Sequence, residues 1–260
     1  MPNDYLDDLF GLSGQVAVVI GGTGVLGGAL CDGLAQAGAT VVVAGNSERR
    51  GGQRVEHIRD LGGQAVFLPA DVARRESLEA LLADTIAQFG RVDMLVNCAG
   101  VNSASAYLDV ADDDWQRVID VNLRGTHWGC QVFAAYMAVT GGGSILNVGS
   151  VTADKPLSRV FAYSASKAAV VNLTQNLARE LAPHKIRVNA LCPGFFPAEQ
   201  NRAILDETRT AAIMAQTPLA RFGQPHELMG AALLLLSNKA GSFITGAAYY
   251  VDGGFTAMRL

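Results

Sequence analysis

Short runs of β-branched and aliphatic residues alternate along the chain with longer stretches whose apolar positions recur at helical spacing. The runs are "QVAVVI" (15–20), "TVVVAG" (40–45), "AVFLPADV" (65–72), "VDMLVNCAG" (92–100), "SILNVGS" (144–150), "IRVNALCPG" (186–194) and "AAYYVDGG" (247–254). Between them lie "GGALCDGLAQAG", "ERRGGQRVEHIRDLGG", "ESLEALLADTIAQFG", "DDDWQRVIDVNLRGTHWGCQVFAAYMA" and a stretch that opens with "FAYSASKAAV" and continues to about Ala182. Near-continuous apolar runs bounded by glycine predict strands buried on both faces, as in a parallel sheet. Their alternation with helices predicts repeated βαβ units, wound by right-handed crossovers into three layers. The predicted fold is α/β: a doubly wound sheet of about seven parallel strands with helices on both faces.

Composition narrows the picture. The chain has 260 residues, half of them hydrophobic, and no Pro/Ser-rich linker divides it, so a single domain is expected over 1–260. A net charge of −4 argues against nucleic-acid binding, for which domains are usually basic. The opening "MPNDYLDDLF" is acidic and lacks the apolar core of a secretory signal, and "ALLLL" (232–236) is too short to span a membrane. Cys31, Cys98, Cys130 and Cys192 are widely spaced and form no CxxC or zinc pattern. Buried, reduced thiols, a cytoplasmic location, no membrane partner and no metal are the expectation.

The turn after the first run reads "IGGTGVLGGAL". Gly22, Gly24 and Gly27 fit G-x-G-x-x-G, and Gly21, Gly24 and Gly27 equally fit G-x-x-G-x-x-G. Such glycines permit a tight turn and let the backbone approach a pyrophosphate at the N-terminus of the next helix; Val25 and Leu26 lie in the same loop. This makes the sheet a Rossmann-type dinucleotide fold. Folds of this kind that select NAD place Asp or Glu about 20 residues onward, on the ribose hydroxyls. Here "VVVAGNSERR" has Gly45 and Asn46 at that point. Without a carboxylate to repel a 2′-phosphate, Asn46, Ser47, Arg49 and Arg50 offer donors and charge, which favours NADP over NAD. Both arginines also fit a solvated helix start.

In "FAYSASKAAV" (161–170), Tyr163 and Lys167 share one helix face, one turn apart, among small side chains. "NVGSVTA" ends the fifth run with Ser150 at the sheet edge where ligands bind in such folds. Asn122, in "DVNLRG", falls inside the predicted long helix, where a short polar side chain is unfavourable. With "GGTGVLGG", "DV" (71–72), "NCAG" (97–100), "VN" (121–122), "PG" (193–194) and "YYVDGG" (249–254), these pieces resemble the short-chain dehydrogenase/reductase family over nearly the whole chain. The resemblance implies an NAD(P)-dependent oxidoreductase whose catalytic set is Ser150, Tyr163 and Lys167, with Asn122 as a fourth member. It also implies Asp71 and Val72 beside the adenine, Asn97, Ala99 and Gly100 along the cofactor, and Pro193 and Gly194 near the nicotinamide. Tyr163 and Lys167 are placed on the cofactor as well.

Reduction of a carbonyl by hydride builds charge on oxygen and needs a proton from a positioned acid. A free phenol has a pKa near roughly 10, so Lys167 and an oxidised nicotinamide are expected to lower that of Tyr163. Ser150 would hydrogen-bond the substrate oxygen, and Asn122 would support a water running from Lys167. For Asn122, a helix-distorting residue with no chemical role stands as the alternative. The chain departs from the family pattern at Ile20 and Ala198, where Thr is common, and at Cys98, where a second Asn is common. The nicotinamide contact of that second Thr is therefore not carried over.

Residues from about 195 to 216, "FFPAEQNRAILDETRTAAIMAQ", fall where the family has a mobile lid. Its aromatic, amide and guanidinium groups suit a small polar substrate, and "GGTGVLGGA" with "PGFFPAEQNR" resembles members acting on sugar acids of the fructuronate or gluconate type. Arg159, one turn before Tyr163, and Arg202 could clamp a carboxylate, with Phe195 beside them; either arginine also fits a surface or interface role. "TPLARFGQPHELMGAALLLLS" (217–237) and the last run resemble the interface elements of family homotetramers, so a homo-oligomer, a tetramer, is expected. Two other functions fit the same fold. A 3-oxoacyl thioester reductase would want a basic surface that this acidic chain does not offer. A non-catalytic dinucleotide sensor would not need Ser150, Tyr163 and Lys167.

Overall fold

A computed structural model describes residues 4–196 and 207–257. Each of the seven apolar runs forms a strand, and every pairing is parallel. The chain runs α1 (Asp4–Phe10), β1 (Val16–Ile20), α2 (Val25–Gln36), β2 (Thr40–Gly45), α3 (Glu48–Asp60), β3 (Gln64–Pro69), α4 (Arg75–Phe89) and β4 (Met94–Asn97). It continues through α5 (Asp112–Ile119), α6 (Gly125–Thr140), β5 (Gly143–Val148), α7 (Phe161–Leu181), β6 (Ile186–Pro193), α8 (Glu207–Gln216), α9 (Met229–Leu236) and β7 (Ala248–Val251). The sheet order is β3-β2-β1-β4-β5-β6-β7, so the winding reverses between β1 and β4. A crevice opens beyond the carboxyl ends of the strands at such a reversal.

Both faces of the sheet are covered, which is why the strands read as unbroken apolar runs. Ala17 and Val19 face a layer built with Leu30, Leu34 and Leu235, whereas Val16, Val18 and Ile20 face Leu78, Phe133 and Met137. Several strands stop before their apolar runs do: β3 at Pro69, β4 at Asn97 and β5 at Val148. The overhanging residues leave the ladder and form the rim of the crevice.

The predicted long helix is interrupted. Between α5 and α6 the chain makes a π-type turn at Asp120–Arg124, and the buried Asn122 lies in it. On the far side, Arg187 of β6 donates to the carbonyls of Leu235 (2.6 Å), Leu236 (2.9 Å) and Ser237 (3.0 Å). It thereby closes the C-terminal end of α9, where a cation is favoured by the helix dipole.

Candidate active site

The turn after β1 is built from the second of the two glycine patterns. Gly21 has φ +87°, and a Cβ there would lie 2.5 Å from the Ala99 nitrogen. A Cβ on Gly27 would lie 2.2 Å from the Gly21 carbonyl oxygen, so the first turn of α2 sits directly on the loop. Gly22 points inward instead, where a Cβ would meet Cys31 Sγ at 2.9 Å. α2 starts at Val25 with Gly24 as its cap, with no side chain capping it and no acid in its first turn. Its first N–H groups therefore face the cleft beside Gly21, Gly24, Val25, Leu26 and Gly27. A backbone cradle that no Cβ could share, at an uncapped helix start, fits a dinucleotide pyrophosphate.

The adjoining groove is lined by Thr23, Asn46, Arg50, Asp71, Val72, Ala99 and Gly100. Gly45 is needed here because a Cβ would lie 2.7 Å from Thr23 Oγ1. Of the two arginines it is Arg50 that lines both this groove and the main cleft, whereas Arg49 lines neither. The Ser47 hydroxyl accepts from the Arg50 nitrogen at 3.4 Å as the cap of α3, so it is used within the protein. Asn97 also lines neither groove. Its amide donates to Asn147 Oδ1 at 2.9 Å beneath the sheet end, because the residue that turns toward the cleft is Cys98.

At the other end of the cleft, Ser150 (just past β5) meets Tyr163 and Lys167 of α7, with Pro193 and Gly194 opposite. Lys167 is 4% exposed and has no carboxylate partner among the described residues. Its ammonium donates to the Val148 carbonyl at 2.7 Å and stands 5.6 Å from the centre of the Tyr163 ring. The Asn122 side chain is held within the protein: Oδ1 accepts from the Val101 nitrogen at 2.8 Å, and Nδ2 donates to the Val101 carbonyl at 3.0 Å and to Ser166 Oγ at 3.1 Å. The Ser166 hydroxyl donates to the Tyr163 carbonyl at 2.7 Å. Asn122, in the widened turn, is thus linked to the Tyr163 backbone through Ser166.

Burial pushes the Tyr163 phenol above its ordinary 10.0, and the Ser150 hydroxyl opposes that rise. Lys167 was expected to be the lowering influence, but its ammonium lies over the ring and bonds to Val148 rather than to the phenol oxygen. Burial also pulls Lys167 from 10.5 down to about 8. Such an ammonium costs the folded state most below about 8, where both states carry the proton; the cost fades with rising pH and is gone above 10.5. Lys167→Met removes this dependence. Denaturant melts of the cofactor-free protein should show the variant's stability relative to the parent falling by on the order of 3 kcal/mol between pH 7 and pH 10.5. A difference independent of pH would mean that Lys167 does not titrate there.

On the substrate side, Phe195 packs edge-on against Phe255 at 5.1 Å and lines a neighbouring hollow, and the buried Phe196 borders both that hollow and the cleft. Arg159 is not on α7, which begins at Phe161. It is an exposed residue at φ 68°, and its carbonyl accepts from the Ser105 nitrogen at 3.1 Å. Arg202, Ala198 and the middle of the expected lid lie outside the described residues. The lid's later part forms α8, from which Arg209 donates to the Ser158 carbonyl at 2.8 Å. Spacing alone did not single out Phe196, Cys98 or Val148. The signal for Cys98 and Val148 is their place late in apolar runs, and Phe196 lies in the stretch expected as the lid.

Comparison with known proteins follows the same outline. The enoyl-(acyl carrier protein) reductase family model matches residues 24–256. The 5-keto-D-gluconate 5-reductase of Escherichia coli strain K12 is 34% identical, over 96% of this chain and 98% of the relative. The crystal structure of a gluconate 5-dehydrogenase from Burkholderia cenocepacia J2315, in complex with NADP and tartrate, is 34% identical with a TM-score of 0.93, covering 98% of this chain and 100% of the other. A short-chain type dehydrogenase/reductase from Mycobacterium marinum is 35% identical with a TM-score of 0.92, over 96% and 99% of the two chains.

Proposed function

The chain belongs to the short-chain dehydrogenase/reductase family, and from that premise we propose that this NAD(P)-dependent oxidoreductase reduces a keto group of a gluconate-type sugar acid with NADPH. The observation that carries the reading is the meeting of Ser150, Tyr163 and Lys167 in one cleft with the uncapped start of α2. When bound, the dinucleotide supplies or receives the hydride. Tyr163 Oη gives its proton to the developing alkoxide, and Ser150 Oγ orients the substrate oxygen. The Lys167 ammonium keeps positive charge beside the reacting centre, and Asn122, through Ser166, fixes the start of α7. Gly21, Gly24 and Gly27 would hold the pyrophosphate, and Asp71 and Val72 would lie toward the adenine.

The substrate class rests on the relatives, two of which are named for gluconate chemistry, and on Arg159, an exposed cation without an ion-pair partner among the described residues. A lid at about 195–216 would exclude water over the substrate. NADP rather than NAD is supported by the missing carboxylate after β2 and by Arg50 in the groove. We place the working enzyme in the cytoplasm as a homotetramer.

A charge-assisted contact with a 2′-phosphate contributes about 1.5–3 kcal/mol, so kcat/KM should favour NADPH over NADH by about 10- to 100-fold. Arg50→Ala should erase most of that preference. The measurement is coenzyme consumption followed at 340 nm with 5-keto-D-gluconate, other keto sugar acids, polyols, simple ketones and a 3-oxoacyl thioester. Preference for NADH would overturn the cofactor assignment, and turnover of the thioester alone would overturn the substrate class.

A further inference from the structure

Two successive residues of β5 grip α7 at two points. The Val148 carbonyl takes the Lys167 ammonium, and the neighbouring Asn147 donates from Nδ2 to Thr174 Oγ1 at 2.9 Å. Thr174 stands seven residues after Lys167 on the same helix face, and its hydroxyl donates to the Val170 carbonyl at 2.8 Å. On its other side, Asn147 Oδ1 accepts from Asn97 Nδ2 of β4 at 2.9 Å and from the Cys130 thiol of α6 at 3.4 Å. None of these four side chains is more than 5% exposed. A directed chain of hydrogen bonds therefore runs from β4 through β5 to α7, inside a layer otherwise packed with Ile145, Val188 and Ala178.

Apolar contacts would hold the helix against the sheet, but they discriminate poorly between small rotations and slides. Buried hydrogen bonds do discriminate, because a misplaced donor in a low-dielectric interior goes unpaired. We propose that Asn147 is a positioning residue: by holding Thr174 it fixes the rotation and axial position of α7, and so places Lys167 and Tyr163 relative to Ser150. The inference rests on the reading of Tyr163 and Lys167 as the reacting pair. The Asn122–Ser166 link fixes the same helix eight residues earlier, so the two asparagines hold its position between them.

Asn147→Leu removes the grip while keeping the volume filled, and Thr174→Val removes it from the helix side. Two readouts apply to the full-length protein: kcat on the sugar acid turned over best, with its pH profile, and the NMR titration of Lys167 in protein carrying 13C-lysine. The chain has four lysines and Lys167 is the buried one, so its signal can be assigned. Misplacement of reacting groups by an ångström costs up to about 100-fold, so each variant should lose about 10- to 100-fold in kcat. The Lys167 midpoint should rise from about 8 toward 10.5 as the loosened helix admits water. The double variant should be no worse than the poorer single one, since one contact is removed twice. Unchanged kcat with an unmoved midpoint overturns the proposal, as does an additive loss in the double variant, the mark of two independent effects rather than one shared contact. If Asn147→Leu does not fold, Thr174→Val decides on the same criteria. Tyr163→Phe is run in parallel: if it stays active, the assignment of the reacting pair falls, while the Lys167 midpoint still judges Asn147.

Discussion

Tyr163→Phe lowers kcat for carbonyl reduction by about 10²–10⁴-fold, the share a positioned acid contributes, and leaves NADPH binding within a few-fold. The substitution keeps the ring and its packing beside Lys167 and removes only the hydroxyl that faces Ser150. Because burial holds the phenol's proton above the ordinary range, Tyr163 is protonated at neutral pH and ready to donate. The sign for each direction follows. Reduction uses the protonated form, so its rate falls as pH climbs through that pKa. Oxidation uses the phenolate, so its rate rises over the same range. Steady-state rates in both directions and NADPH fluorescence titration check both statements together. Near-parental activity in the variant would remove Tyr163 from the chemistry.

Gly21→Ala acts at the other end of the cleft. The new methyl meets two obstacles at once: a left-handed backbone at φ +87°, and the Ala99 nitrogen 2.5 Å away. The obstructing atoms are backbone at the start of the loop that follows β4, so no side-chain rotation relieves the contact. Left-handed strain alone costs about 1–3 kcal/mol, and displacing the β1 turn from the end of β4 adds to it. A loss of on the order of 3 kcal/mol in denaturant unfolding is expected, together with at least about a tenfold weaker coenzyme affinity by calorimetry. Gly62→Ala is the control, since Gly62 has φ +83° but nothing within 4 Å of its Cβ site. It should show the backbone strain without the loss of binding.

Features that depend on local spacing were legible in the sequence. The glycine turn, Tyr163 and Lys167 at i and i+4, and Ser150 at a strand end each need only neighbouring residues to define their geometry. The parallel sheet was legible because strands covered on both faces must be apolar throughout. What could not be read was orientation at the ends of strands. Asn97 and Cys98 differ by one position, yet one turns under the sheet and the other into the cleft; Phe195 borders the neighbouring hollow, whereas Phe196 borders both that hollow and the cleft. Which of each pair turns to the cleft depends on contacts distant in sequence: Asn147 and Cys130 hold the Asn97 amide, and Phe255 holds the Phe195 ring. Arg49 and Arg50 raised the same problem at the start of α3. The break between α5 and α6 left no trace in hydrophobic periodicity, because its cause is a set of bonds from Asn122 to Val101 and Ser166.

That break bears on how the protein would change under selection. A regular helix through Asp120–Arg124 would be the better local conformation, since wide turns of this kind are rare and occur mostly as single turns at working sites. Pressure for heat resistance alone would therefore favour substitutions that straighten the segment and swing Asn122 away from Val101. Such descendants would melt higher and turn over more slowly. A laboratory lineage screened only for survival on heating should drift toward that state, whereas one screened on product should keep the irregular turn.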